Sequence, residues 1–249
     1  MRLILALIYT IFATVAIAET RIVSGKSEEN LALNATFNGK EILVYGAVES
    51  DLDVPMDVVM IVRGPNQTIT INKKESKLGF WLNSESLTFP NSPSYLAVLS
   101  SWGPNAIVSP EARAKYKIGI EEQIDLTKLS GNITHADDFL KAFIRIRENN
   151  GQFYESKNGV RMQGGVLFSA DVPMPANLIE GIYTFNIYVV QDQKVTAHSI
   201  TSIPVRKTGI GRWLFKLSDD SGFLYGLLSV FLSIAISLLA SQAVRLFRR

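Results

Sequence analysis

Between Asp220 and Arg245 the chain carries no charged side chain, and residues 222–244 (GFLYGLLSVFLSIAISLLASQAV) are apolar or weakly polar throughout. About 23 residues at ~1.5 Å each span ~35 Å, enough to cross a hydrocarbon core of ~30 Å with modest tilt. A helix inside a soluble domain rarely stays uncharged for so long, so the stretch reads as a membrane-spanning helix. This limits everything else to folding on one side of a bilayer or the other.

The charges at the two ends assign the sides. Asp219 and Asp220 precede the helix, whereas Arg245, Arg248 and Arg249 follow it. Basic flanks stay cytoplasmic, so residues 245–249 are expected inside and the chain before Ser221 outside. The other end of the sequence agrees. Arg2 leads an apolar run over residues 3–17, closed by the small-x-small pattern Ala16-Ile17-Ala18 before Glu19. That is the pattern of a secretory signal peptide over residues 1–18; an uncleaved anchor is the rival reading, and it yields the same topology.

Composition bounds the exported part. Of 25 Lys and Arg, four (Arg2, Arg245, Arg248 and Arg249) lie outside it, leaving 21 against 23 Asp and Glu. A domain at about −2 lacks the basic excess that nucleic-acid binding requires. The chain contains no cysteine, so an exported domain of about 200 residues must be held by its hydrophobic core alone, without disulfides or thiolate metal sites.

The periodicity of that domain is mostly that of strands. Residues 21–24 and 31–37 alternate, Asn38-Gly39 punctuates, and residues 41–48 resume as a β-rich run, which predicts a hairpin. Residues 57–63 (DVVMIVR) end at Gly64-Pro65-Asn66, and residues 68–72 (TITIN) alternate beyond, which predicts a second. Residues 73–89 are irregular, with Gly79-Phe80-Trp81-Leu82-Asn83 and Leu87-Thr88-Phe89 as short apolar pieces. Pro110 opens a short helix over residues 110–116, and Thr134-His135-Ala136-Asp137 fits a capping box for a helix of about 136–149. Strands return until Gln191-Asp192-Gln193 joins the last two as a tight hairpin.

The expected fold is therefore mainly β: an Ig-like β-sandwich ectodomain in two units, residues 19–109 and 110–207, with the helix packed on the second. Residues 208–221 read as a juxtamembrane amphipathic linker. Ile210, Trp213, Leu214 and Leu217 recur at helical spacing, and Trp213 is placed to anchor at the membrane interface together with Arg245, Arg248 and Arg249.

Several of these residues carry a resemblance. Val44-Tyr45-Gly46-Ala47-Val48, Asp57-Val58-Val59 leading to Arg63-Gly64-Pro65, Gly79-Phe80-Trp81-Leu82-Asn83, Pro93-Ser94-Tyr95, Gly181-Ile182-Tyr183 and Tyr225-Gly226 together resemble a family of alphaproteobacterial transmembrane proteins. The resemblance spans nearly the whole mature chain. It implies a Gram-negative inner membrane, a periplasmic ectodomain, an association with permeases of the sulfite-exporter type and no assigned reaction. No catalytic or binding residue carries over from it.

Residues with chemistry are sparse. His135 and His198, the two histidines, show no ligand spacing, and the chain has no Gly-x-Ser-x-Gly elbow, phosphate-cradling glycine loop or dinucleotide fingerprint. No catalytic residue, cofactor or metal is therefore expected. Asp51, Asp53 and Asp57 lack the glycine and distal glutamate of a calcium loop and read as a solvated connection. Arg63, Lys73, Lys74 and Lys77 flank the hairpin leading into Trp81 and could form a rim for a small anion; such lysines more commonly discourage edge-to-edge pairing.

The anchor itself is patterned. Gly222, Gly226, Ser229, Ser233, Ser237 and Ala240 recur every three or four positions and share one side of the helix. Small residues let a second helix approach closely, so this side is a candidate helix–helix interface; the rival use of the serines is to bond carbonyls one turn earlier. Two function classes follow. One is a binding or accessory module that pairs laterally with a transporter. The other is a stand-alone or homo-oligomeric periplasmic sensor or structural protein, whose short basic tail would have to signal through a partner.

The topology is checkable. A reporter fused after Arg249 is expected to be active only in the cytoplasm, and mass spectrometry of the mature chain should begin at Glu19. Making Arg245, Arg248 and Arg249 acidic should scramble insertion, because their asymmetry against Asp219 and Asp220 orients the helix.

Overall fold

The computed structural model describes residues 20–49, 54–77, 79–131 and 135–247. The expected signal peptide with its boundary at Glu19, and Asp51, Asp53, Thr134, Arg248 and Arg249, lie outside the described residues. The strands are β1 (Arg21–Lys26), β2 (Leu31–Leu33), β3 (Lys40–Glu49), β4 (Asp57–Arg63), β5 (Asn66–Lys77), β6 (Phe80–Pro93), β7 (Leu96–Ser100), β8 (Ser130–Gly131), β9 (Phe153–Ser156), β10 (Val160–Gln163), β11 (Leu167–Met174), β12 (Gly181–Gln191) and β13 (Lys194–Lys207). The helices are α1 (Pro104–Ile107), α2 (Pro110–Tyr116), α3 (Ala136–Asn149), α4 (Ile210–Asp220) and α5 (Gly222–Phe247).

These strands form three sheets, ordered β1-β3-β11-β10, β2-β13-β12-β4-β7-β9 and β5-β6-β8. The fold is mainly β, as expected. Strand β4 explains the stacking. Its five central residues are all buried, and because side chains alternate faces it must be covered on both. Val58, Met60 and Val62 meet Ile42, Val44, Phe168 and Val172 of the four-stranded sheet in one core. Val59 and Ile61 meet Leu87, Phe89, Phe139 and Phe143 in a second core, closed by the β5–β6 hairpin and α3. Phe143 is its centre, stacked on Phe89 with centroids 4.7 Å apart and edge-on to Phe153 at 5.5 Å.

The two hairpins read near the start of the domain do not form. β3 pairs antiparallel with β1 and β11, whereas β2 crosses to the other sheet and runs parallel to β13, with Val205 opposite Leu31. Leu31 is buried there, and the turn after β2 is closed by Asn34 Oδ1, which accepts from the Thr36 N–H at 3.1 Å. Likewise β4 takes β12 and β7 as neighbours, and β5 pairs with β6 in a separate layer. A two-faced apolar strand needs equally buried neighbours, which the polar alternation of residues 68–72 does not offer.

That choice also removes the division at Pro110. β3 bonds β11 and β4 bonds β12, so strands from residues 19–109 and 110–207 interleave in shared sheets and both cores draw on both stretches. Other local readings hold. Ser109 Oγ accepts from the Ala112 N–H at 3.3 Å at the start of α2, ahead of which Pro110 needs no donor. Asp192 and Gln193 turn the last hairpin with φ of 49° and 62°, the left-handed pair of a type I′ turn. Helix α3 spans the expected residues, but His135 at its N-cap makes no side-chain cap bond; its Nδ1 instead lies 3.5 Å from Glu85 Oε2 on β6.

Truncating either core is expected to cost about 2–5 kcal/mol: Met60→Ala in the first, Phe143→Ala in the second. Ile200→Ala, on the solvent side of β13, should cost under about 0.5 kcal/mol. Denaturant unfolding of the full chain in detergent, followed by near-ultraviolet circular dichroism, measures all three.

Candidate functional site

Among the described residues, α5 holds the one stretch long and apolar enough to cross a membrane, Gly222–Ser241. The preceding α4 begins after Gly209, whose φ of +92° favours glycine, and ends at Ser221, whose non-helical backbone (φ −154°, ψ 72°) breaks the helix before α5. α4 turns its apolar side to α5: Trp213 and Leu217 face Leu224, Leu227, Phe231 and Ile234 across a crevice of about 530 Å³. At 3.6 residues per turn, that side of α5 lies about 150° around the helix from the small-residue side.

The six small residues are brought together on the exposed remainder of α5. A Cβ on Gly222 or Gly226 would meet nothing within 4 Å. Ser229 Oγ donates to Tyr225 O at 2.9 Å and Ser233 Oγ to Ser229 O at 2.8 Å, the back-bonded arrangement. The hydroxyl protons are thus used within the helix, while each oxygen keeps acceptor capacity.

The four cations read as an anion rim are not brought together. Arg63 is half-buried at the root of the β5–β6 hairpin. Its guanidinium donates to Gln123 Oε1 at 2.7 Å, Gln123 O at 3.2 Å and Asn66 Oδ1 at 2.8 Å, and burial pushes its pKa down. These acceptors are neutral, and they tie the hairpin root to the turn at Glu121–Gln123. Lys73, Lys74 and Lys77 sit at the far end of β5, beginning about 23 Å from Asn66 at ~3.3 Å per residue. One small anion cannot bridge that span. Lys73 Nζ lies 4.0 Å from Glu75 Oε1, and Lys77 stands opposite Phe80 in the ladder.

The remaining sequence candidates are structural. Asp57 Oδ1 accepts from Ser101 Oγ at 2.7 Å. His198 stacks on Tyr188, centroids 4.4 Å apart and planes within 2°, with Nε2 3.3 Å from Asn186 Oδ1. Sequence reasoning missed Arg147. This buried residue of α3 donates to Pro93 O at 3.3 Å and to Gln152 Oε1, and its guanidinium lies 5.6 Å from the rings of Phe143 and Phe153. Its position on the apolar side of the helix, four residues after Phe143, was the available signal.

Further concavities lie on the β-rich body. The outer face of the four-stranded sheet holds one of about 500 Å³ lined by Val23, Tyr45, Leu167 and Arg161. Arg113, Glu121, Glu122, Glu148 and Glu155 surround a polar one of about 260 Å³, in which Arg113 donates to Glu122. Among the described residues no group of three or more His, Cys, Asp or Glu is arranged to hold a metal ion.

Desolvation pushes the His198 pKa below the ordinary 6.5. The unfolded chain then takes up the proton first as pH falls, so the stability His198 contributes is fully present above ~6.5 and is lost as pH drops through its lowered folded value. The thermal midpoint of the full chain should therefore fall more steeply as the pH drops below ~6.5 than that of His198→Gln.

No curated protein matches the chain. The model of the family described as Putative transmembrane protein (Alph_Pro_TM) matches residues 21–247, from the first strand through the apolar anchor, and the chain belongs to that family.

Proposed function

We propose that the protein is a single-pass protein of a bacterial inner membrane, with its β-rich domain on the periplasmic side and its C-terminus in the cytoplasm. It works as a non-enzymatic binding and accessory subunit, pairing through the small-residue side of α5 with a helix of a membrane transporter. The observation that carries this reading is the asymmetry of α5: α4 lies beside part of its Leu/Phe side, and Gly222, Gly226, Ser229, Ser233, Ser237 and Ala240 share the other side, exposed and free of bulky side chains. Lipid tails are as apolar as leucine, so a helix pair in a bilayer is held by close backbone packing and by hydrogen bonds of about 0.6 kcal/mol each. A side without bulky side chains permits that approach. The orientation rests on Asp219 and Asp220 before the span against Arg245, Arg248 and Arg249 after it.

Crosslinking from α5 in native membranes, read by mass spectrometry, tests the pairing. Gly226→Leu with Ser233→Leu should abolish the crosslink to a transporter, and Leu228→Ala on the other side should leave it in place. A crosslink only to a second copy of the chain would favour a homo-oligomeric sensor or structural protein, and unchanged crosslinks in every variant would reduce α5 to a tether.

A further inference from the structure

The β5–β6 hairpin runs well past the body it is rooted in. Leu87 and Phe89 are buried in the second core, but residues 80–84 are exposed. The seven residues beyond Leu87, out to Phe80, carry the arm about 23 Å past its last buried side chain at ~3.3 Å each. At its tip stand three consecutive large apolar residues: Phe80, Trp81 and Leu82 are 72%, 71% and 53% exposed. Exposed apolar clusters of this kind mark interaction sites, and on a strand they also invite aggregation, so their presence at an extremity calls for an occupant.

We propose that this tip inserts into the interface of the bilayer that holds α5. The ladder supplies the first reason. Lys77 is opposite Phe80, Ser76 opposite Trp81 and Glu75 opposite Leu82, so Trp81 points to one face of the hairpin and Phe80 and Leu82 to the other. A folded protein surface would cover one face and leave the second wet, whereas a lipid interface surrounds both. Charge is the second reason. Lys73 and Lys74, opposite Glu85 and Asn83, lie just behind the apolar tip, where anionic headgroups would sit, and Lys77 stands at the turn opposite Phe80. Of the neighbouring acids, Glu85 is turned toward His135 and Glu75 toward Lys73. An exposed tryptophan with lysines close behind it along the hairpin is the pattern of residues that settle at the headgroup boundary.

The third reason is where the arm is rooted. The arm springs from Asn66 and Pro93, next to Arg63. In the ladder Arg63 faces Thr184 of β12, and Gly181 of β12 faces Val205 of β13. The root is therefore at the same end of the six-stranded sheet as Lys207, where the chain leaves for α4 and α5. Tethering to the same membrane raises the effective concentration of that bilayer over any other surface. The proposal needs only that the chain is held in a bilayer; it does not depend on the helix pairing proposed above.

The test uses the absence of cysteine: Leu82→Cys gives the full chain a single thiol for an environment-sensitive fluorophore. The protein is reconstituted in nanodiscs of phosphatidylcholine with phosphatidylglycerol, with or without brominated acyl chains. Emission is expected to be blue-shifted and quenched about twofold or more by the brominated lipid, while a label at Ile200→Cys stays unquenched. Adding Phe80→Ser and Trp81→Ser should restore the water-exposed emission. Changing Lys73, Lys74 and Lys77 to Gln should weaken the inserted state on the order of a hundredfold. Unquenched, water-like emission would overturn the proposal. So would quenching only by separately added brominated vesicles, or a blue shift without quenching, which would place the tip on another protein.

Discussion

The structure depends on burying β4 on both faces. A strand reading DVVMIVR has no polar side to give to water, so two layers must be built around it, one supplied by β3 and β11 and the other by the β5–β6 hairpin and α3. Its lateral neighbours must tolerate the same treatment. β12 does, sending Phe185, Ile187 and Val189 to the first core and Tyr188 and Val190 to the second. The chain leaves β4 through Gly64, where a Cβ would come within 2.7 Å of Ser94 Oγ and 2.9 Å of the Tyr183 ring. That close passage permits the Ser94 N–H to reach Pro65 O at 2.9 Å, so the hairpin begins and ends beside the sheet it covers.

Two arginines then set the root of that hairpin, and both do so with neutral partners. Arg63 reaches Asn66 and the Glu121–Gln123 turn from one side, and Arg147 reaches Pro93 O from the other while lying against Phe143 and Phe153. A buried guanidinium is costly to desolvate, and carbonyl acceptors and aromatic faces offset part of that cost. Desolvation lowers both pKa values, yet arginine stays charged at physiological pH. The result is an exposed arm with a well-held base, which is what positions Phe80, Trp81 and Leu82 away from the body.

The anchor follows the same logic of sides. α4 and α5 are separated only by Ser221, and the apolar face of α4 is laid toward Leu224, Leu227 and Phe231. The small-residue side is left over, and the back-bonded hydroxyls of Ser229 and Ser233 satisfy themselves while it is empty. Polar groups in a bilayer without an internal partner would be far more costly. Such a side can therefore persist without a partner and still accept one.

Local and compositional features were legible in the sequence because their physics is local. The span follows from 23 uncharged residues, α2 from proline placement, α3 from 3.6-residue periodicity, the final turn from the residues between two β-rich runs, and the mainly β class from alternation. The six small residues on one side of α5 are likewise a matter of period. What tertiary structure decided were the pairings. Strand alternation says which face is apolar but not which strand lies alongside, so β2 went to β13, β4 to β12 and β7, and a boundary at Pro110 dissolved into shared sheets. Four cations near one another in sequence separated into a half-buried clamp and a distant tip because an extended strand spends ~3.3 Å on every residue. Phe80-Trp81-Leu82, apolar enough to pass for core, ended outside it because the second core was already closed by Leu87, Phe89 and Phe143.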